Sequence, residues 1–286
     1  MKPNHSVRPA DHADIHAIND FLEKRIKIHR HLDWLSPTEW LGHQPYLIME
    51  NKGGIEALLI CSAETTGVYW IRLFAFQNTR KLDVAFDKLF RFALENILQI
   101  EPQQPQIACI ANQDWMRAAV VKRGWKEIQQ VIQLKRDPAL ILAHPYALPP
   151  GISIRQMKKG DVSQVTVIDQ ASFEPLWQHS EQTLGRALEQ SVYATVCEID
   201  HLAVGYQIST ALQNRAHIAR LAVLPDYQRR HLGLALVQDA INTFDQPWAA
   251  EITVNTQKDN LRSLNLYHQL GFRMTPDSFP IFSYFR

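Results

Sequence analysis

The chain repeats itself at a spacing of about 147 residues, and this repeat constrains the fold more than any single motif does. Ser6-Val-Arg-Pro-Ala-Asp11 leads into a helical stretch at 14–25, and Ser153-Ile-Arg-Gln-Met-Lys158 leads into another at 161–172. Val7 and Ile154 are 147 positions apart. Each half then predicts two strands around a tight turn. They lie at 46–50 and 55–63 around Lys52-Gly53-Gly54, and at 193–199 and 202–210 around Asp200-His201. Ile71-Arg-Leu-Phe-Ala75 and Ala219-Arg-Leu-Ala-Val223 follow, with Arg72 and Arg220 at an offset of 148. Next come a long helix (82–98; 233–244), a fifth strand (106–111; 251–255) and a last helix (114–122; 260–270). That helix ends at Gly124-Trp125 or Gly271-Phe272, again 147 apart, where glycine suits a left-handed C-terminal cap. One offset across so many landmarks predicts two tandem α/β domains of one fold, residues 1–137 and 151–286. Pro138, Pro145, Pro149 and Pro150 make 138–150 a stiff linker.

Composition narrows the class. A length of 286 residues suits two domains, and 46% apolar content is ample for two cores. Lys and Arg number 30 against 29 Asp and Glu, which leaves no field to attract nucleic acid or an acidic membrane. The first residues, Met-Lys-Pro-Asn-His, lack the apolar core of a signal peptide, and no apolar run is long enough to span a membrane. Cys61, Cys109 and Cys197 lie far apart in apolar, strand-like runs, as small buried hydrophobes of a reducing cytoplasm do. His12, His16, His29 and His31 have no cysteine or carboxylate pattern beside them, so the expectation is a solvated helix and no metal.

The densest chemistry lies in Arg220-Leu-Ala-Val-Leu-Pro-Asp-Tyr-Gln-Arg-Arg-His-Leu-Gly-Leu-Ala-Leu236. An apolar strand stops at Pro225, passes a basic turn and enters a helix, an order that aims free N–H groups and a positive dipole end at a phosphate. About twenty-five residues on comes Asn260-Leu-Arg-Ser-Leu-Asn-Leu-Tyr-His-Gln-Leu-Gly-Phe272. Together the two blocks resemble the signatures of the GNAT N-acetyltransferase superfamily, which moves acyl groups from acyl-CoA to amines. At the turn, Gln228 and Gly233 fit the family pattern Gln/Arg-x-x-Gly-x-Gly/Ala, with Arg229 and Arg230 alongside; His231 stands where the first glycine belongs. In the second block Asn260, Ser263, Tyr267 and Gly271-Phe272 match at every position.

The resemblance implies a GNAT fold, a mixed-sheet α/β domain, in tandem, and acetyl-CoA as co-substrate. It implies that backbone groups near Leu221, Ala222 and Val223 pair with the pantetheine arm as a pseudo-strand. Gln228, Arg229, Arg230, His231, Leu232, Gly233, Leu234 and Ala235 would cradle the pyrophosphate. Asn260 would touch the cofactor arm, Ser263 would leave it room, and Tyr267 would protonate the departing thiolate. In the first half Arg80 faces Gln228 in register, Asp83 faces His231 and Ala85 faces Gly233, while Val120 or Val121 falls at the place of Tyr267. An aspartate there repels a pyrophosphate, so the first domain is expected to be degenerate and the chemistry to lie in 151–286.

Two side chains qualify as general base, and the resemblance equally allows a chain of water molecules in their place. His217 occupies the place where the histone-acetyltransferase branch carries a glutamate; Glu174 lies in Ser172-Phe-Glu-Pro-Leu-Trp-Gln178, where the family builds its acceptor wall. Phe173, Leu176 and Trp177 serve there equally well as an apolar lip or as packing. The reaction expected is direct attack of a small-molecule primary amine on the thioester. One alternative acceptor is a protein N-terminus, because Pro225-Asp-Tyr-Gln-Arg-Arg230 resembles the ribosomal-protein alanine acetyltransferases. The other alternative is a non-catalytic acyl-CoA sensor, against which the intact Tyr267 argues.

Overall fold

The computed structural model describes residues 6–285 apart from 25, 78–81, 102, 104, 138–147, 149 and 246–249, so Arg80 and most of the proline-rich stretch lie outside the described residues. Contacts divide the chain into two units, 1–128 with 280–286, and 129–279. The first half runs β1 (Ser6–Pro9), α1 (Ile15–Leu22), β2 (Lys27–Arg30), β3 (Tyr46–Asn51), β4 (Gly54–Thr65), β5 (Val68–Phe76), α2 (Leu82–Ile100), β6 (Gln106–Ile110), α3 (Asp114–Val121) and β7 (Lys126–Arg136). The second runs β8 (Ile152–Gln156), α4 (Val162–Ser172), α5 (Glu181–Gln190), β9 (Tyr193–Ile199), β10 (Leu202–Leu212), β11 (Arg215–Val223), α6 (Leu232–Phe244), β12 (Glu251–Gln257), α7 (Leu261–Gln269) and β13 (Phe272–Tyr284). The order repeats except at one place: α5 in the second half stands where the first half has the short strand β2.

The repeated Val-Arg and Ile-Arg landmarks turn out to be ion-pair anchors. Arg8 donates to Asp14 at 2.7 Å and to Glu50 at 3.2 Å, tying the first strand to the first helical turn and to β3. Arg155 does the same with Asp161 at 2.8 Å and Glu198 at 2.9 Å. Each arginine holds its aspartate carboxyl below the usual range, chiefly through that hydrogen bond.

In unit 1 the apolar stripe of α2 (Ala85, Phe86, Leu89, Ala93, Ile97) recurs every three or four residues and packs on the inward side chains of β4, β5 and β6. The opposite face of the sheet is covered by Ile18 and Phe21 of α1, which meet Tyr46, Ile48, Leu58 and Leu73. Unit 2 is built alike, with Leu234, Val237, Ala240, Ile241 and Phe244 of α6 against β11 and β12. Gly124 and Gly271 both take positive φ after their helices, at 78° and 84°, as C-terminal caps. Asp200 and His201 carry φ of 49° and 65°, the primed geometry that matches hairpin twist.

The units do not follow the two halves of the sequence at their last strands. β7 begins in unit 1 but its residues from Val131 to Lys135 pair antiparallel with β12. Ile281 to Tyr284 at the end of β13 pair with β6. Each unit thus takes a strand from the other half of the chain. The histidine cluster also departs from expectation. His12 and His16 are exposed, but His29 lies on a strand, not a solvated helix, and is 0% exposed. No helix among the described residues is long and apolar enough to cross a membrane.

Candidate active site

The site begins with a bulge. β11 runs parallel to β12 only from Arg215↔Glu251 to Ile218↔Val254, although β11 continues to Val223 and β12 to Gln257. On its other side β11 pairs with β10, where Ile218 faces Ser209 and Arg220 faces Ile208, leaving Ala219 as the extra residue. An extra residue bends and twists the strand that carries it. The bend coincides with the end of pairing to β12, so the two parallel strands splay, and residues 220–223 present an edge on which no described strand lies.

At the end of that edge is the turn. Pro225 to Tyr227 form a single 3-10 turn, and Arg229 and His231 then take the left-handed conformation, with φ of 60° and 62°. His231, where the family pattern carries glycine, holds the backbone region that glycine favours, and as N-cap it starts α6. The first intrahelical bond runs from the Ala235 N–H to the His231 carbonyl at 3.0 Å. The N–H groups of Leu232, Gly233 and Leu234 therefore precede the helical ladder and point out of its N-terminus. Alternating left-handed residues make a concavity of backbone donors suited to an anion. Space at Gly233 is tight: a Cβ there would lie 3.1 Å from Leu266 Cδ1 on α7, which would have to shift.

Gln228 serves within the protein, donating to the Val223 carbonyl at 3.0 Å, and the Ser172 hydroxyl reaches the same oxygen at 3.1 Å. That carbonyl, with two lone pairs, has both engaged. Asn260 is the N-cap of α7, its side-chain oxygen accepting from the Ser263 N–H at 3.1 Å, so it stands just outside the helix that carries Ser263 and Tyr267. Tyr267 is 4% exposed, edge-on to Phe272 with centroids 5.6 Å apart. Burial raises its phenol well above the ordinary value, so it is fully protonated at neutral pH.

On the α4 side of the sheet, His217 Nδ1 lies 2.8 Å from Thr253 Oγ1, which donates to the Ala216 carbonyl at 3.3 Å. A hydroxyl has one proton. With that proton on Ala216, the threonine oxygen accepts from Nδ1–H, which leaves the lone pair of His217 on Nε2. Burial lowers its pKa to about 4, so the ring is neutral at physiological pH. Glu174, by contrast, is exposed at the head of the 3-10 turn Pro175–Trp177.

Sequence reasoning missed the network behind that turn. Asp169 is fully buried; one oxygen accepts from the His179 N–H at 2.8 Å, the other from Arg220 Nε at 2.8 Å and from the Tyr206 hydroxyl. The Arg220 guanidinium also donates to the Trp177 carbonyl and lies 3.7 Å above the Phe173 ring. Trp177 Nε1 donates to Gln129 on β7 at 2.9 Å. Phe173 and Trp177 are thereby held against β11 and β7. The signal was the repeated Arg72/Arg220 landmark, read only as a strand marker.

Unit 1 has the opposite charge at its corresponding helix start. Asp83 pairs with Lys122 at 2.7 Å and Arg123 at 2.9 Å, and Asp87 with Arg123 at 2.6 Å. The lysine bond first and the arginine bond second hold the Asp83 carboxyl low, so it stays anionic. Val120, 147 before Tyr267, is buried in the unit 1 core, while Val121 is 52% exposed.

Residues 162–272 match the acetyltransferase (GNAT) family. The chain is 33% identical over 84 residues to N-alpha-acetyltransferase 30 of Xenopus laevis, covering 29% of this chain and 28% of that one. It is 31% identical over 67 residues to the ribosomal protein bS18-alanine N-acetyltransferase of Escherichia coli K12, covering 23% of this chain and 45% of that one. The match thus spans less than half the length of either relative. Among solved structures, a tandem GNAT protein from the clavulanic acid biosynthesis pathway aligns over 98% of both chains, with a TM-score of 0.61 and 13% identity. At that identity the likeness speaks for fold alone. Residues 162–272 therefore form a domain of the GNAT family, in a chain whose fold is like that of a tandem GNAT protein.

Proposed function

We propose that unit 2 transfers an acetyl group from acetyl-CoA to the primary amine of a small molecule by direct attack, and that the first domain, residues 1–137, does not bind the co-substrate. The observation that carries this reading is the open edge of β11 past Ile218, which ends in a left-handed, cationic turn at a helix start. An edge of that kind accepts an extended amide-bearing arm as an added strand. Because the Val223 carbonyl is engaged by Ser172 and Gln228, Val223 contributes its N–H and Leu221 the neighbouring groups. Arg229, Arg230 and the N–H groups of residues 231–234 receive the pyrophosphate, the Ala235 N–H being taken by the His231 carbonyl, and Asn260 and Ser263 flank the arm.

In this reading Tyr267, held protonated, donates to the sulfur as the C–S bond breaks. His217 Nε2 takes the proton released as the C–N bond forms. An imidazole with a pKa near 4 is too weak to deprotonate a resting alkylammonium of pKa about 10, so the acceptor sheds its first proton to solvent. Glu174, exposed, has no part in that step. The names of the relatives favour a second reading, a protein α-amine as acceptor. Calorimetry with acetyl-CoA on wild type and Gly233→Asp tests the site: one site per chain is expected, lost in the variant. Turnover with a panel of small amines and with short peptides bearing free N-termini then separates the two acceptors.

A further inference from the structure

The one element that breaks the repeat lies where unit 1 ought to have its splay. β5 pairs in parallel with β6 only from Val68↔Gln106 to Trp70↔Ala108, and its partner β4 skips Arg72, the bulge equivalent to Ala219. Beyond the bulge, however, the edge of β5 is taken. β2 pairs antiparallel with it from Lys27↔Phe76 to Arg30↔Leu73, and the His31 N–H extends the ladder to the Arg72 carbonyl at 2.8 Å. The far side of β2 is held as well. His29 is fully buried, with Nε2 3.6 Å from Cys109 Sγ on β6. Gln113 donates to the Ile28 carbonyl at 2.9 Å. Gln113 is 147 residues before Asn260 and, like it, is the N-cap residue of the helix after the fifth strand. Its side chain makes no capping bond and is spent on β2.

We infer that unit 1 has kept the co-substrate slot of the fold and filled it with its own strand β2, whose backbone takes the place of the pantetheine arm. The inference rests on the reading that the splay of unit 2 receives that arm. The charges agree with it: Asp83 and Asp87, neutralised by Lys122 and Arg123, stand near the helix start where unit 2 presents Arg229, Arg230 and His231. Unit 1 is in this sense permanently liganded. The strand that fills it is an extended peptide, the chemistry that an open sheet edge selects.

Hydrogen exchange on the whole chain, with and without saturating acetyl-CoA, tests this. Amides at 73–76 are expected to exchange slowly in both conditions, while those of Leu221 and Val223, which face away from β10, slow only when acetyl-CoA is added. Slowing at 73–76 on addition, faster exchange at 27–30, or two acetyl-CoA sites per chain would mean that β2 yields the slot, and would overturn the inference. No slowing at Leu221 and Val223 on addition would sink the reading of unit 2 instead. Gln113→Ala judges the occupancy separately. Loss of one hydrogen bond predicts about tenfold faster exchange at 27–30 and 73–76, with the turnover of unit 2 unchanged. Unchanged exchange in that variant would show that β2 is not held as a ligand is.

Discussion

In the proposed reaction Tyr267 and His217 act from opposite sides of the sheet, and their environments suit them to opposite tasks. Burial keeps the phenol protonated and the imidazole neutral, an acid and an acceptor both in working form at pH 7. Tyr267→Phe keeps the ring packed against Phe272 and removes only the proton, so kcat is expected to fall by about 10²-fold or more, with acetyl-CoA affinity unchanged by calorimetry. His217→Ala is expected to lower kcat by a similar order, about 10²-fold, whereas Glu174→Gln leaves it within about twofold. Steady-state kinetics on the three variants sorts the roles. Asp169 has a structural duty. Asp169→Ala strands the buried Arg220, with an expected loss of about 3–5 kcal/mol in denaturant unfolding. Of these residues, Tyr267 was proposed from its motif. Asp169 was not, because a helical aspartate reads as solvated until the fold buries a guanidinium against it.

At the scale of elements, the bulge does the shaping. A strand's period gives no hint that Ala219 will be squeezed out of register, yet this one residue opens the edge on which the proposed chemistry depends. β2 was equally hidden. Lys-Ile-His-Arg is too short and too polar to read as a strand, and a tertiary partner made it one. Its buried histidine gives stability a pH dependence. Burial is the main cause that lowers His29 to about 4, against hydrogen bonding by Gln113 and the Ile71 backbone. Between about 6.5 and 4 the unfolded chain binds a proton that the folded chain refuses, so stability is full above that window and falls with pH through it. The loss is on the order of 3 kcal/mol for this group. His29→Gln should flatten that part of the stability profile in urea unfolding at pH 4 to 7; His217, lowered likewise, keeps some slope in the variant.

For the whole molecule, the exchanged strands decide what can stand alone. Residues 151–286 without the first half lack the strand at 131–135 that pairs with β12, and residues 1–137 lack the strand at 281–284 that pairs with β6. Each fragment would expose a sheet edge. Expressed singly, the fragments are expected to aggregate or self-associate in size-exclusion chromatography; expressed together, they are expected to assemble into a complex with acetyl-CoA affinity.

The sequence by itself determined the repeat, the order of most elements, the caps at Gly124 and Gly271, and the two motif blocks of the second half. Those features follow from local periodicity, backbone preference and side-chain chemistry at fixed spacing, which a chain carries before it folds. Only the tertiary structure decided which strand lies beside which. β7 and β13 have the same local character in either unit, and β2 has almost none, so their partners were chosen by edge geometry and burial across a hundred residues or more, which no local pattern encodes.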